Sequence, residues 1–460
     1  MNRHRALRIP GRPCGGGRRP ARFAGLLAGT LAVAAVVSCM PDIGTEAIPE
    51  AMEFDPATGR VPQPIGLVIH PATGRIDLSL AGVAVPADCA AQAAMPVAQC
   101  EFYQYLQSLD GFPTTAGLTA PATAALDPAT LTPANVVAVD VTRGKAAANL
   151  AIGFVDATRM VTVDPATGWD VGTTYVAAVR GYANGVKAAS GAQVVASSVM
   201  FLLKEDRPLT CGAASAGAIP ESCDYMTLLT QSMTVEEARE SLATLEGVRL
   251  SLNAAGAFAA MTNVGGVPEA EQAVLWTFPT HSASVIELDP TKGLLPKVSG
   301  KQEIRLPVKG DVDPATVSAW SLDAPGTVFL LDLTALEAGD LGAGLPAFTA
   351  AYADGAIVLT ADADLPDGHT IATLVTTGAR NPQGVALVPP PITVLLKATG
   401  ALTDAGGKSQ VSDVSDADAA ELEAGRKDFA TLLDDELFAG LTGLSRADLA
   451  YVYAFDFPNP

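Results

Sequence analysis

The feature that most restricts how this 460-residue chain folds is that it repeats itself. Residues 126–210 carry LDPATLTPANVVAVDVT, then MVTVDPATGWDVGTTYVAAVRGY, then SSVMFLLKEDRPLT. Residues 312–403 carry VDPATVSAW and TVFLLDLT, then AIVLTADADLPDGHTIATLVTTGA, then ITVLLKATGALT, in the same order. A shared Leu-Leu-Lys falls at Leu202–Lys204 and at Leu395–Lys397. After it each half turns helical. Thr234-Val-Glu-Glu237 reads as a capping box ahead of ARESLATLEGVRLSLNAA, and Ser415-Asp-Ala-Asp418 opens AAELEAGRKDFATLLDDELFAGL. Each half then returns to a strand, at Val274–Pro279 and Tyr453–Pro458. Five elements in one order mark two copies of a single supersecondary unit.

The unit is predicted to be β-rich. Asp-Pro-Ala-Thr stands at Asp55, Asp127, Asp164 and Asp313, with His70-Pro-Ala-Thr a near copy. Proline after aspartate presets a turn, and a following glycine supplies positive φ. Between these turns Ile76–Leu80, Val136–Val141, Thr174–Val179 and Val199–Leu203 read as short strands. Many short strands with closely spaced turns argue for sandwiches. The expected fold is mainly β: two tandem β-sandwiches, each with an α-helical insertion before its last strand.

Residues 23–39, FAGLLAGTLAVAAVVSC, set the compartment. Seven arginines (Arg3, Arg5, Arg8, Arg12, Arg18, Arg19, Arg22) and no acidic residue precede this apolar run, which ends on Ser38-Cys39. A basic start, an apolar centre and a small residue before cysteine form a lipoprotein signal. The run is short for a span, which needs about 20 apolar residues. Residues 1–38 are therefore expected to be a signal peptide, with Cys39 the lipidated residue and the membrane a partner through that anchor. Met40, in place of aspartate, fits outer-membrane sorting by resemblance to known lipoproteins. Processing leaves 22 of the 29 basic residues against 49 acidic ones, a net charge of −27. So acidic a surface repels phosphate backbones, which argues against nucleic-acid binding.

Four cysteines remain beyond Cys14 and Cys39: Cys89 near Cys100, and Cys211 near Cys223. Four cysteines allow three connectivities. Each close pair brackets an Ala/Gly/Pro-rich stretch with little core-forming power. Two local disulfides are thus the economical pairing in an oxidising compartment. The spacings are not those of a zinc site.

Segments 54–78 (FDPATGRVPQPIGLVIHPATGRIDL) and 109–136 (LDGFPTTAGLTAPATAALDPATLTPANV) resemble the N-terminal region of the bacterial virulence-factor lipase family. VGTTYVAAVRG followed by FLLK and PLT, and LSRADLAYVYAFDF (444–457), carry the resemblance further. It covers most of residues 50–460 and implies bacterial Ig-like modules. The implied organisation is residues 39–108 as an N-terminal segment with short strands and a disulfide loop. Residues 109–290 and 291–460 then form two Ig-like domains. In that family such a region precedes an α/β-hydrolase domain, and this sequence reaches Pro460 without one, so lipase activity is not expected to carry over.

No catalytic residue is expected. A serine hydrolase needs Gly-x-Ser-x-Gly to expose its nucleophile on a strained turn. Gly443-Leu-Ser-Arg-Ala447 lacks the last glycine, and Ser445 reads better as an N-cap with Asp448 three residues on. His70, His281 and His369 are scattered; His369 occupies the turn position of Thr173 and is expected on solvated surface. Asp362, Asp364 and Asp367 before Gly368 form a weak Ca²⁺ candidate without the later glutamate of an EF-hand. Otherwise no cofactor is expected. Trp169, Trp276 and Trp320 are too dispersed for a sugar platform. The expectation is a non-catalytic, lipid-anchored cell-envelope protein for surface binding, adhesion or scaffolding, its protein partner unnamed. The alternatives are an accessory to an extracellular lipase or esterase system, or a carbohydrate-binding module.

Overall fold

The computed structural model describes residues 50–287 and 303–457, apart from 57, 92–94, 231–232, 413, 435–438 and 441. The expected signal peptide and Cys39 lie outside the described residues. The fold is mainly β in its framework of several antiparallel sheets, with helices a comparable share of the described residues.

The N-terminal segment holds β1 (Ala51–Met52) and α1 (Val97–Ser108). The first half follows with β2 (Leu118–Pro121), β3 (Val136–Asp140), β4 (Lys145–Ala146), β5 (Leu150–Val155), β6 (Met160–Pro165), β7 (Thr174–Arg180) and β8 (Val195–Ala196). Four helices then precede β9 (Gln272–Pro279): α2 (Ser198–Leu203), α3 (Asp224–Leu229), α4 (Val235–Ala254) and α5 (Ala257–Asn263). The second half contains β10 (Val285–Ile286), β11 (Glu303–Lys309), β12 (Val328–Asp332), α6 (Leu333–Glu337), α7 (Leu341–Gly344), β13 (Phe348–Ala353), β14 (Ala356–Ala361) and β15 (His369–Thr376). It closes with α8 (Pro391–Leu396), α9 (Asp416–Leu433) and β16 (Leu449–Phe457).

The sheet orders are β2-β6-β5 and β4-β3-β7-β9 in the first half, and β10-β11-β14-β13 and β12-β15-β16 in the second. Alternating side chains from both second-half sheets meet in one core, Ile304, Leu306, Ile357 and Leu359 against Leu330, Ile371, Val375 and Tyr451. Val161 and Val163 meet Val136, Val176 and Phe278 in the first half in the same way.

The repetition reaches individual hydrogen bonds. Asp127 and Asp313 each cap a short 3-10 turn by accepting the N–H two residues on, at 3.0 Å in both halves. Strand β7 shifts register against β9 between Val179 and Arg180, and β15 shifts against β16 between Val375 and Thr376. Glu246 on α4 accepts the backbone N–H of Leu209 and pairs with Arg249; Glu423 on α9 accepts that of Leu402 and pairs with Arg426. All four charged side chains of these pairs are largely buried.

Two stretches read as strands from the sequence are not strands. Val199–Leu203 lies in helix α2, started by Ser197, whose hydroxyl accepts the Met200 N–H. Leu202 and Leu203 turn into the core, and the Leu-Leu-Lys of each half ends a short helix. The second departure is Ile76–Leu80. There Asp77 accepts the Ser79 N–H and starts a 3-10 turn over Leu78–Ala81, closed by Gly82 at φ 77°. A side-chain cap at each start outweighs the β preference of the aliphatic run.

Both close cysteine pairs are disulfide-bonded, Cys89 to Cys100 and Cys211 to Cys223. Each staples a helix that covers the helical layer. Cys223 is the N-cap residue of α3, whose Tyr225 hydroxyl meets Glu205 beneath the Arg207 guanidinium. Cys100 lies in the first turn of α1, and Ala98 and Phe102 pack on Leu395 and Leu422 of α8 and α9. Gly400, the counterpart of Arg207, lets α1 approach; a Cβ there would meet the Ala98 nitrogen at 2.7 Å.

Candidate functional site

Strands β3 and β12 each end on a buried aspartate. Asp140 accepts the Arg143 backbone N–H and guanidinium, both at 2.8 Å, and the same guanidinium reaches Asp170. In the second half Asp332 Oδ1 accepts the Ala335 N–H and starts α6. Asp332 Oδ2 stands 2.7 Å from His369 Nδ1. A ring Nδ1–H facing this carboxylate donates to it, which orients the imidazole and turns Nε2 away from Asp332. His369 is therefore half-buried and oriented, not the solvated turn residue its position suggests. An Asp–His pair orients a base, but acyl transfer also needs a nucleophile within hydrogen-bond reach. Among the described residues, the side chain bonded to this ring is Asp332.

The lysines of the repeated Leu-Leu-Lys have a structural task. Lys204 Nζ donates to the carbonyls of Glu269 and Gln272, and Lys397 Nζ donates to that of Leu449. Each ammonium thereby satisfies the first residue of the closing strand, β9 or β16. Burial lowers both amines to about 8.

A cleft of about 420 Å³ opens along the N-terminal half of α4. Thr234 caps the helix through a reciprocal capping box with Glu237, which fixes where α4 begins. Ala238, Leu242, Leu245 and Val248 bury the helix in the first-half core. Glu237, Glu240, Ser241, Thr244 and Leu245 are left as one wall of the cleft. Val199 of α2, with Leu229 and Met233, forms the apolar floor, and Asp55-Pro56 closes one end. Among the described residues the lining has three carboxylates and no Lys, Arg or His. A shallower opening of about 540 Å³ lies where α1 meets the 404–412 loop. Its polar groups are engaged locally: Asp404 accepts from Gly406 and Lys408, and Ser409 from Val411.

The Ca²⁺ candidates are not brought together. Asp362, Asp364 and Asp367 are exposed, and among the described residues no group of three or more His, Cys, Asp or Glu is placed to hold a metal ion. Ser445 stands at the N-cap position of a 3-10 turn and is held by Asp448, which accepts both its N–H and its hydroxyl. Trp169 and Trp276 are core residues; Trp169 packs on Tyr175 and Phe278, and Trp320 stacks on Phe329. Among the described residues no helix is long and apolar enough to cross a membrane. Neither the α4 cleft nor the Asp332–His369 pair was singled out from the sequence. Each joins residues distant along the chain.

No family model matches the chain, and no curated protein matches it.

Proposed function

We propose that this protein is a non-catalytic, lipid-anchored binding module of the bacterial cell envelope, built from two tandem Ig-like β-sandwiches. Cys39 carries the anchor, and the outer membrane holds it. Helical insertions before β9 and β16 form the layer that meets a partner. The α4 cleft carries this reading: Val199, Leu229 and Met233 floor it and three carboxylates edge it. That lining suits non-covalent recognition. The paired sheets and the duplicated strand order support the tandem-sandwich architecture. Acidic surface and acyl tether together favour a partner held at the membrane face. Crosslinking on intact cells, followed by identification of the captured proteins, tests the reading. A partner captured by the anchored protein supports it; ester hydrolysis by the purified chain contradicts it.

The resemblance to the front region of virulence-factor lipases favours one second reading, an accessory to a separately encoded hydrolase. Co-purification of a hydrolase distinguishes that role.

A further inference from the structure

We propose that the α4 cleft is the docking groove for a cationic amphipathic helix of a partner protein, a proposal that rests on the binding-module reading above. Its shape is elongated along α4. The wall from Glu237 to Leu245 covers about two helical turns, roughly 12 Å at 1.5 Å per residue. A groove of that length takes the i, i+3/i+4 and i+7 apolar anchors of a short helix. Val199, Leu229, Met233 and Leu245 receive those anchors.

The charge of the groove selects the partner. Asp55, Glu237 and Glu240 edge the cleft, no basic side chain lines it among the described residues, and the whole chain carries −20. Lysines or arginines flanking the apolar stripe meet these carboxylates, whereas acidic flanks are repelled. An anionic lipid surface is repelled for the same reason. The Thr234–Glu237 box sets the start of α4, and the Cys211–Cys223 disulfide anchors the N-cap residue of α3, which packs beside α4. A preformed groove loses little conformational entropy when filled.

The test uses the purified full chain and two labelled helical peptides of about 14 residues with the same leucine stripe, one flanked by lysines and one by glutamates. Fluorescence anisotropy is expected to show binding of the lysine peptide only, weakening with added salt. Glu240→Lys is expected to weaken it about fivefold or more, and Thr244→Trp, which fills the groove from an exposed position, to abolish it. Glu421→Lys, the same charge change at an exposed position of α9, is expected to leave it unchanged. If Glu240→Lys and Glu421→Lys weaken binding alike, the attraction is to net charge alone and the groove is not the site. If neither peptide binds, the groove assignment is overturned. A partner still captured on intact cells then leaves the binding-module reading standing without it.

Discussion

Glu423 accepts the backbone N–H of Leu402 at 2.8 Å while both of its oxygens grip Arg426. Glu246 does the same for Leu209 with Arg249 in the other half. Each glutamate ties the loop after Leu-Leu-Lys to the long helix that follows, so the helical insertion is pinned together at one matched place in both halves.

Glu423→Gln leaves the Arg426 guanidinium buried without its counter-charge. A broken buried pair costs about 3 kcal/mol, and Glu246→Gln is expected to cost a similar amount. Urea denaturation of each variant checks both, and near-additive losses in the double variant are expected because the sites share no partner.

Acid acts on the same bolt. The Arg426 guanidinium lowers the Glu423 carboxyl to about 2, from 4.5. A depressed carboxyl contributes stability that is complete above about 4.5 and drains as pH falls toward 2. Thermal melts from pH 6 down to pH 2 are expected to fall steeply over that window. The fall is expected to be shallower in Glu423→Gln; an equal slope in both proteins assigns the acid sensitivity elsewhere.

Lys204 and Lys397 titrate in the opposite sense. Their folded-state values near 8 lie below the ordinary lysine value of 10.5, so the unfolded chain binds more protons between those limits. Their contribution to stability therefore rises with pH from 8 to 10.5. Lys204→Met is expected to cost about 1–2 kcal/mol at pH 7, because the Glu269 and Gln272 carbonyls lose their donor. It is also expected to flatten that alkaline slope in pH-dependent denaturation.

Gly400→Val is expected to lift α1 off α8. A side chain there collides with the backbone of Ala98 and with Val97, an overpacking loss of about 1–3 kcal/mol. Hydrogen exchange over Val97–Ser108 reads it directly, with faster exchange in α1 than in β12 or β15.

What was legible in the sequence was local chemistry. The Thr234–Glu237 box, the Asp127 and Asp313 turns and the cysteine pairs act over a few residues, so their spacing states their geometry. The closing strands at Val274 and Tyr453 were legible from aromatic alternation. Val199–Leu203 was misread because its aliphatic run suits a strand, and the decision belonged to the Ser197 cap and to burial against the core. The task of Leu-Leu-Lys was invisible for a different reason: its ammonium acts on carbonyls 52 to 68 residues away. Asp332 and His369 are likewise 37 residues apart and meet only because β12 and β15 pair.

The proposed envelope-tethered role depends most on Cys39. Fractionation of cells producing Cys39→Ser, beside the wild-type chain, tests it most directly. The wild-type protein is expected in the outer-membrane fraction, and the variant in the soluble fraction with the same melting temperature. A Cys39→Ser protein that stays with the membrane contradicts the anchor, and with it the envelope-tethered binding role.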